Sequence, residues 1–342
     1  MKAIVLERAG PPENLSMQDL PMPHVTSRHV FVKVRACGVG YRDLIDRRGD
    51  MPLMRTPIVP GHEFAGEVVE VGENVQRWRS GDRVLNLYTA SCGHCDQCLG
   101  GDERHCRALS ESFGLTVNGG YAEYVLAHER ALEALLPEIP WDVAATLYSA
   151  TGVGFNNTAN AARVRPGERV LVTGASGGVG SAAVQTAKLL GATVWAVTSS
   201  AAKAGDLQAL GADEVIVSTA GDFHKQVIAA TNGEGVDAAI DCVGAPTLNA
   251  SLRSLRPHGR VVVVGNLDAR RVELNLGYLL VRSLSIIGSD NITRAALRQV
   301  MQLVRDGRIK PRIHERLPLE RAADAHRLLE ARGATGRVVL IP

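Results

Sequence analysis

The chain has no dominant charge. Its 38 Lys and Arg residues are nearly matched by 36 Asp and Glu. No basic stripe is long enough to track a phosphate backbone, which argues against nucleic acid as a partner. A long apolar run is also missing: no stretch approaches the roughly 20 residues of a membrane span. The opening residues Met1–Arg8 read as a short strand running into charge, without the apolar core of a secretory signal. The expected setting is therefore the cytoplasm, away from membranes. Internal repeats and low-complexity tracts are absent as well. What is present is ordinary globular material: 342 residues, 45% hydrophobic and 22% charged, enough for two domains or one large one. Glycine is abundant, at 35 residues, and favours tight turns and close backbone contacts.

The grammar of the chain changes near residue 150. Before it, short β-type runs predominate: Val30–Val34, Phe64–Gly72, Asp82–Leu85 and Gly119–Val125 each read as a strand. This half predicts an irregular β barrel. After it, apolar strands alternate with helical stretches. Arg169–Thr173 is followed by a glycine turn and a helix from Ser181 to Leu190. Thr193–Val197 is followed by a helix through Leu207. Glu214–Val217, Ala238–Asp241, Val261–Val264 and Leu284–Ile287 complete six strands. That alternation predicts a parallel sheet covered on both faces, the doubly wound α/β fold that binds dinucleotides. Beyond Ser289 come a helix to about Val304, the segment Arg316–Glu320, a further amphipathic helix and the strand Arg337–Ile341. This tail is expected to pack back onto the first half. The domains are therefore placed at 1–150 with 290–342, and at 151–289.

Four of the six cysteines, Cys92, Cys95, Cys98 and Cys106, fall in a C-x2-C-x2-C-x7-C pattern. In a reducing compartment such a cluster points to metal rather than disulfides. Four thiolates on one short lobe can close a tetrahedron around zinc, and a closed sulfur shell leaves no position for substrate. The expectation is one structural zinc per chain. Four free thiols or an iron–sulfur cluster are the alternatives.

The turn Gly174–Gly180 lies between a strand and a helix, the context that a pyrophosphate-binding glycine motif requires. Ala175 relaxes the strict G-x-G-x-x-G pattern. Ser176, Gly177, Gly178 and Val179 are the predicted phosphate contacts, at a helix N-terminus that offers unpaired N–H groups. At the end of the second strand, Thr198, Ser199, Ser200 and Lys203 stand where a carboxylate would select the ribose 2′-hydroxyl. Hydroxyls and an ammonium suit a 2′-phosphate, so the predicted cofactor is NADP(H). The competing reading is that Ser199 and Ser200 cap the next helix.

Taken with Gly61-His62-Glu63, the cysteine lobe, the glycine turn and the run from Cys37 to Asp43, these features make the chain resemble the medium-chain dehydrogenase/reductase superfamily over its whole length. That superfamily includes zinc alcohol dehydrogenases and quinone oxidoreductases. The stretch Gly259–Tyr278 looks most like the branch containing acryloyl-coenzyme A reductases. The resemblance implies a GroES-like barrel beside a Rossmann domain, a small-molecule substrate, and a homodimer or homotetramer. It also implies that Val243, Gly265 and Asn266 flank the nicotinamide and ribose.

Carried onto this sequence, the family's catalytic zinc ligands fall at Gly40, His62 and Ser149, so only the histidine survives. Cys37 is three positions away and reads as a small buried residue. Cys242 likewise reads as buried rather than reactive. Glu63 could still offer an oxygen to a weakly bound metal. The family's relay hydroxyl is replaced by Arg42, which cannot donate and retrieve a proton as serine does but can hold an anionic oxygen. The expected catalytic residues are Tyr41, Arg42 and His62. Tyr41 could donate to a substrate carbonyl or pack against the nicotinamide, and Arg42 could instead pair with Asp43. Asp43 itself reads as a group that orients its neighbours.

Three functions fit. The first is an NADPH-dependent reductase of activated C=C bonds that needs no catalytic zinc. The second is an alcohol or carbonyl dehydrogenase, and the third is a non-enzymatic NADPH-binding protein.

Overall fold

Alternating apolar residues make His29–Val39 an 11-residue strand and the spine of the first half of the molecule. Val30, Val32 and Val34 point into one core with Phe64, Val68, Val84, Val125, Val338 and Leu340. Burying each such side chain contributes roughly 1.5–3 kcal/mol. The computed structural model describes residues 1–51, 53–268, 270–289 and 291–342. They form two units: Met1–Ser149 with Ile292–Asp306 and Ile313–Pro342, and Ala150–Asn291 with Gly307–Arg312. The expected boundary at residue 290 lies outside the described residues, and the short segment Gly307–Arg312 groups with the second unit.

In the first unit a seven-stranded sheet runs in the order Ile313–Pro318, Arg337–Ile341, His29–Val39, Glu63–Val71, Arg83–Asn86, Leu132–Ala134, with Tyr124–His128 also paired to the spine. The C-terminal strand joins antiparallel, Leu340 opposite Cys37 and Val338 opposite Val39, as the tail was expected to do. One strand differs from expectation. It begins at Tyr124 rather than Gly119, because the two glycines are used for close approach instead. A Cβ on Gly119 would stand 2.2 Å from the Gly61 carbonyl oxygen. Gly119, Gly120 and Tyr121 donate to the carbonyls of Val59, Gly61 and Pro60.

The second unit carries six parallel strands in the order Glu214–Val217, Thr193–Thr198, Arg169–Thr173, Val236–Asp241, Leu255–Val263, Ser285–Gly288. In sequence order this is 3-2-1-4-5-6, the Rossmann arrangement. Val170 and Val172 enter one core and Leu171 the other, so both faces are covered. The first helix starts at Gly178, three residues before Ser181. The helix expected after the second strand is split into a 3-10 turn, Ala201–Lys203, and the helix Ala204–Ala209. Among the described residues no helix is long and apolar enough to cross a membrane.

Candidate active site

His62 is fixed before its ring is considered. Gly61 has φ +98°, and a Cβ there would stand 2.5 Å from the Tyr121 ring. The side chain of Asn86 brackets the histidine, donating to the His62 carbonyl at 2.8 Å and accepting from Phe64 N at 2.6 Å. The ring is then held at both nitrogens. Nδ1 lies 2.8 Å from Asp43 Oδ1, and Nε2 lies 2.9 Å from Ser149 Oγ. Asp43 sits in the first turn of the helix Tyr41–Arg48, where its Oδ2 accepts from Gly40 N at 2.8 Å. Burial alone would raise the Asp43 pKa. The charge and hydrogen bond of His62, with the Gly40 N–H, outweigh it and hold the carboxyl at about 2.

Ser149 reaches this pair because the spine strand is thin where the chain passes. A Cβ on Gly38 would lie 2.4 Å from the Ala145 carbonyl oxygen, an approach only glycine permits. The Ser149 backbone N–H donates to Glu63 Oε1 at 2.7 Å, and Glu63 Oε2 accepts from Arg337 Nε at 3.1 Å. Both oxygens that Glu63 might have offered to a metal are thus engaged. His62, Asp43 and Glu63 are buried, while Ser149 is partly exposed.

The other expected catalytic side chains are placed less directly. Arg42 does not pair with Asp43. Its Nε donates to both oxygens of Asp46, at 2.7 and 2.9 Å, one helical turn on, and its Nη2 donates to the Tyr88 hydroxyl at 2.8 Å. Asp43 is turned the other way, toward the helix N-terminus and His62. Burial pushes Asp46 up to about 6 against the pull of Arg42, and pushes Tyr88 up to about 12. Tyr88 also meets the His62 ring edge-on, with centroids 6.0 Å apart. Tyr41 lies under the Arg48 guanidinium, which stands 5.6 Å from its ring centroid. Cys37 is fully buried, and burial raises its thiol pKa well above the usual range.

The four clustered cysteines bring their sulfur atoms within 4.8 Å of one another, and no other such group of three or more His, Cys, Asp or Glu occurs among the described residues. Cys92 and Cys98 sulfurs are 4.0 Å apart, and those of Cys95 and Cys106 are 3.9 Å apart. A tetrahedron with bonds of ~2.3 Å has edges of about 3.8 Å, so the four thiols fit a zinc ion. Cys92 N and Ala108 N point at the Cys106 sulfur, and Cys95 N at that of Cys92. Such N–H groups favour the thiolate form that a metal requires.

In the second unit the glycine turn is as close-packed as its sequence suggests. A Cβ on Gly180 would fall 2.3 Å from the Gly174 oxygen, and Gly177 caps the 12-residue helix Gly178–Leu189. Val243 approaches the Gly174 position, and a Cβ on Gly244 would collide with Gly265 and Asn266. Three strand ends therefore converge. Asp241 ties them together, accepting from Thr173, Thr247 and Ser251 hydroxyls and from Val243 and Gly244 N–H groups. Cys242 is partly buried against the sheet core, and burial pushes its thiol pKa up, as for an unreactive cysteine. Ser200 stands at the N-terminal cap of the turn Ala201–Lys203, yet its side chain makes no capping bond. Thr198 is buried and accepts from Ser200 N, Ser199 is exposed, and burial lowers the Lys203 pKa. A dinucleotide phosphate fits the close turn and open helix end of this unit.

Sequence reasoning did not find Tyr88, Asp46 or Arg337, which no motif marks. Ser149 was visible only as a lost ligand.

Residues 26–138 match the alcohol dehydrogenase GroES-like domain family, and residues 178–306 match the zinc-binding dehydrogenase family. The acryloyl-coenzyme A reductase of Sulfurisphaera tokodaii is 34% identical, with 100% of both chains covered. The alcohol dehydrogenase of Geobacillus stearothermophilus is 33% identical, with 99% of each covered. The crystal structure of AibC is 44% identical, with a TM-score of 0.91 over 100% of this chain and 96% of that one. With barrel, parallel sheet, cysteine lobe and glycine turn all in place, the chain belongs to the medium-chain dehydrogenase/reductase superfamily, as a zinc alcohol dehydrogenase-like NAD(P)-dependent oxidoreductase rather than a non-enzymatic nucleotide-binding protein.

Proposed function

We propose that this enzyme is an NADPH-dependent reductase of activated C=C bonds, acting on an enoyl thioester, enone or quinone without a catalytic zinc. The observation that carries this reading is the donor set around His62. Gly40 has no ligating side chain, a serine hydroxyl is a poor partner for zinc beside a thiolate, and Glu63 is already paired. Alcohol oxidation needs a Lewis acid to stabilise an alkoxide. Reduction of a conjugated C=C bond does not, because hydrogen bonds can hold the enolate that forms. The names of the relatives agree in part, since one is an acryloyl-coenzyme A reductase.

In this reading the unit that holds Gly174–Gly180 binds the cofactor, and the unit that holds His62 carries the chemistry. Ser176, Gly177, Gly178 and Val179 hold the pyrophosphate. Ser199, Ser200 and Lys203, beside Thr198, hold the 2′-phosphate, and the uncapped Ser200 hydroxyl supports that assignment. Val243, Gly265 and Asn266 border the nicotinamide. NADPH, when bound, supplies the hydride. Arg42, tethered by Asp46 and Tyr88, faces the substrate side of the barrel unit, and His62 acts from behind Ser149. Tyr41 packs against Arg48 on the same helix and joins Arg42 and His62 as a catalytic residue in this reading. Cys92, Cys95, Cys98 and Cys106 hold one structural zinc per chain. We read the assembly as a homodimer or homotetramer. The helix Leu276–Arg282 exposes Leu276, Leu280 and Val281 beside the edge strand Ser285–Gly288, a surface suited to a second copy.

The test is turnover of NADPH with acryloyl- or crotonyl-thioesters, enones, quinones and simple aldehydes. Consumption of the conjugated acceptors, unaffected by chelators, is the expected result. Turnover of aldehydes alone, abolished by chelators, would favour the alcohol or carbonyl dehydrogenase reading, which the Geobacillus relative keeps in play.

A further inference from the structure

Reduction of a conjugated C=C bond needs a proton as well as a hydride, and the position of Ser149 indicates where that proton comes from. We propose that Ser149 is a catalytic residue that delivers the proton to the substrate Cα, with His62 and Asp43 as the positioning residues behind it. This rests on the reductase reading above and adds the donor that the reading leaves unassigned.

Three observations converge. Asp43, His62 and Ser149 form an unbroken hydrogen-bonded line, 2.8 Å and 2.9 Å between successive partners. Exposure rises along it: Asp43 is 2% exposed and His62 3%, and Ser149 alone of the three is partly open to solvent. A substrate atom can therefore meet the Ser149 hydroxyl but not the imidazole behind it. The hydroxyl is also held in place, because its own backbone N–H is tied to Glu63.

The step balances as follows. A hydride forms the new C–H bond at Cβ, the C=C π electrons move toward Cα, and the thioester carbonyl becomes an enolate while NADPH is oxidised to NADP+. The enolate then reforms its carbonyl as Cα takes the proton of the Ser149 hydroxyl, breaking that O–H bond. Ser149 Oγ recovers a proton from His62 Nε2, whose Nδ1–H stays on the Asp43 carboxylate. Solvent returns one proton to the imidazole. The net consumption is one NADPH and one proton per C=C bond.

The experiment uses the zinc-loaded holoenzyme with NADPH and crotonyl-coenzyme A in D2O. It reads kcat, KM and the face of Cα that acquires deuterium, by NMR of the product. Wild type should deuterate one face. In S149A, kcat should fall about 100-fold, with KM for the thioester far less affected and the facial preference lost as water protonates the freed enolate. S149T, which keeps the hydroxyl, should restore both rate and selectivity, and thermal midpoints of both variants confirm folding. H62Q should slow kcat while Ser149 still enforces the face. S149A that turns over like wild type with the same facial preference overturns the assignment and leaves the reductase reading intact. Wild type that reduces no conjugated acceptor overturns both.

Discussion

Arg337 fills the space that a side chain at Gly40 would need. A Cβ on Gly40 would stand 2.8 Å from Arg337 Nη1 and 3.0 Å from its Cζ. The position that a family ligand occupies elsewhere therefore faces a cation, itself paired to Glu63 at 3.0 Å. Replacing Gly40 by cysteine should not rebuild a metal site unaided. G40C is expected to lose about 1–3 kcal/mol by overpacking. It should still bind one zinc per chain, read by urea unfolding and by metal analysis. An unchanged unfolding midpoint with a second zinc would contradict this.

The cysteine lobe should behave as a structural clasp. C98S is expected to release the zinc and expose the 92–106 loop to protease, with NADPH still binding because the glycine turn belongs to the other unit. Metal content, limited proteolysis and NADPH fluorescence test this together. Full zinc retention in C98S would refute it.

Acid should weaken the fold partly through His326. This side chain is fully buried, its Nε2 lies 3.1 Å from the Tyr121 hydroxyl, and burial pushes its pKa down to about 4. The folded value is below the unfolded one, about 6.5, so the unfolded chain binds the proton first. The contribution is complete above pH 6.5 and is lost as pH falls toward 4. It amounts to roughly 3 kcal/mol. Urea unfolding at several pH values should show a flatter profile over this window for H326L than for wild type. Parallel profiles would rule out the assignment.

Selection of the phosphorylated cofactor should depend on Lys203 and Ser200. K203A and S200D are expected to raise the KM for NADPH by about tenfold, corresponding to about 1.4 kcal/mol, with the KM for NADH little changed. Equal effects on both cofactors would place these residues outside the 2′-phosphate site.

The exposed apolar face of Leu276–Arg282 should be covered in solution. Light scattering is expected to give a dimer or tetramer for wild type and a smaller species for the double variant L280E/V281E. A wild-type monomer would overturn the assembly.

Much of the fold was legible because its signals are local. Six apolar strands alternating with helices dictate a covered parallel sheet, and the 2-2-7 cysteine spacing places four thiols on one lobe. What escaped is long-range. Glycines 119 and 120 look like strand residues until Pro60 and Gly61 arrive against them. Arg42 carries two acidic candidates, Asp43 and Asp46, and helical geometry favours the one four residues on. The motif reading of position 149 registered only what a ligand had lost. The 2.9 Å contact with His62, 87 positions away in sequence, is invisible to any local pattern.

The barrel sheet also sets an order of assembly. Its spine is made by residue 39, yet the strand beside it is Arg337–Ile341, and the guanidinium that braces Glu63 is on that strand. During synthesis the six parallel strands of the second unit, all within residues 169–288, are complete before this last strand leaves the ribosome. The sheet of the second unit can therefore pair early, while that of the first unit waits with an open edge. A nascent chain stalled before residue 337 would lack the strand that braces Glu63, so the arrangement around His62 and Ser149 is complete only once residues 337–341 are made.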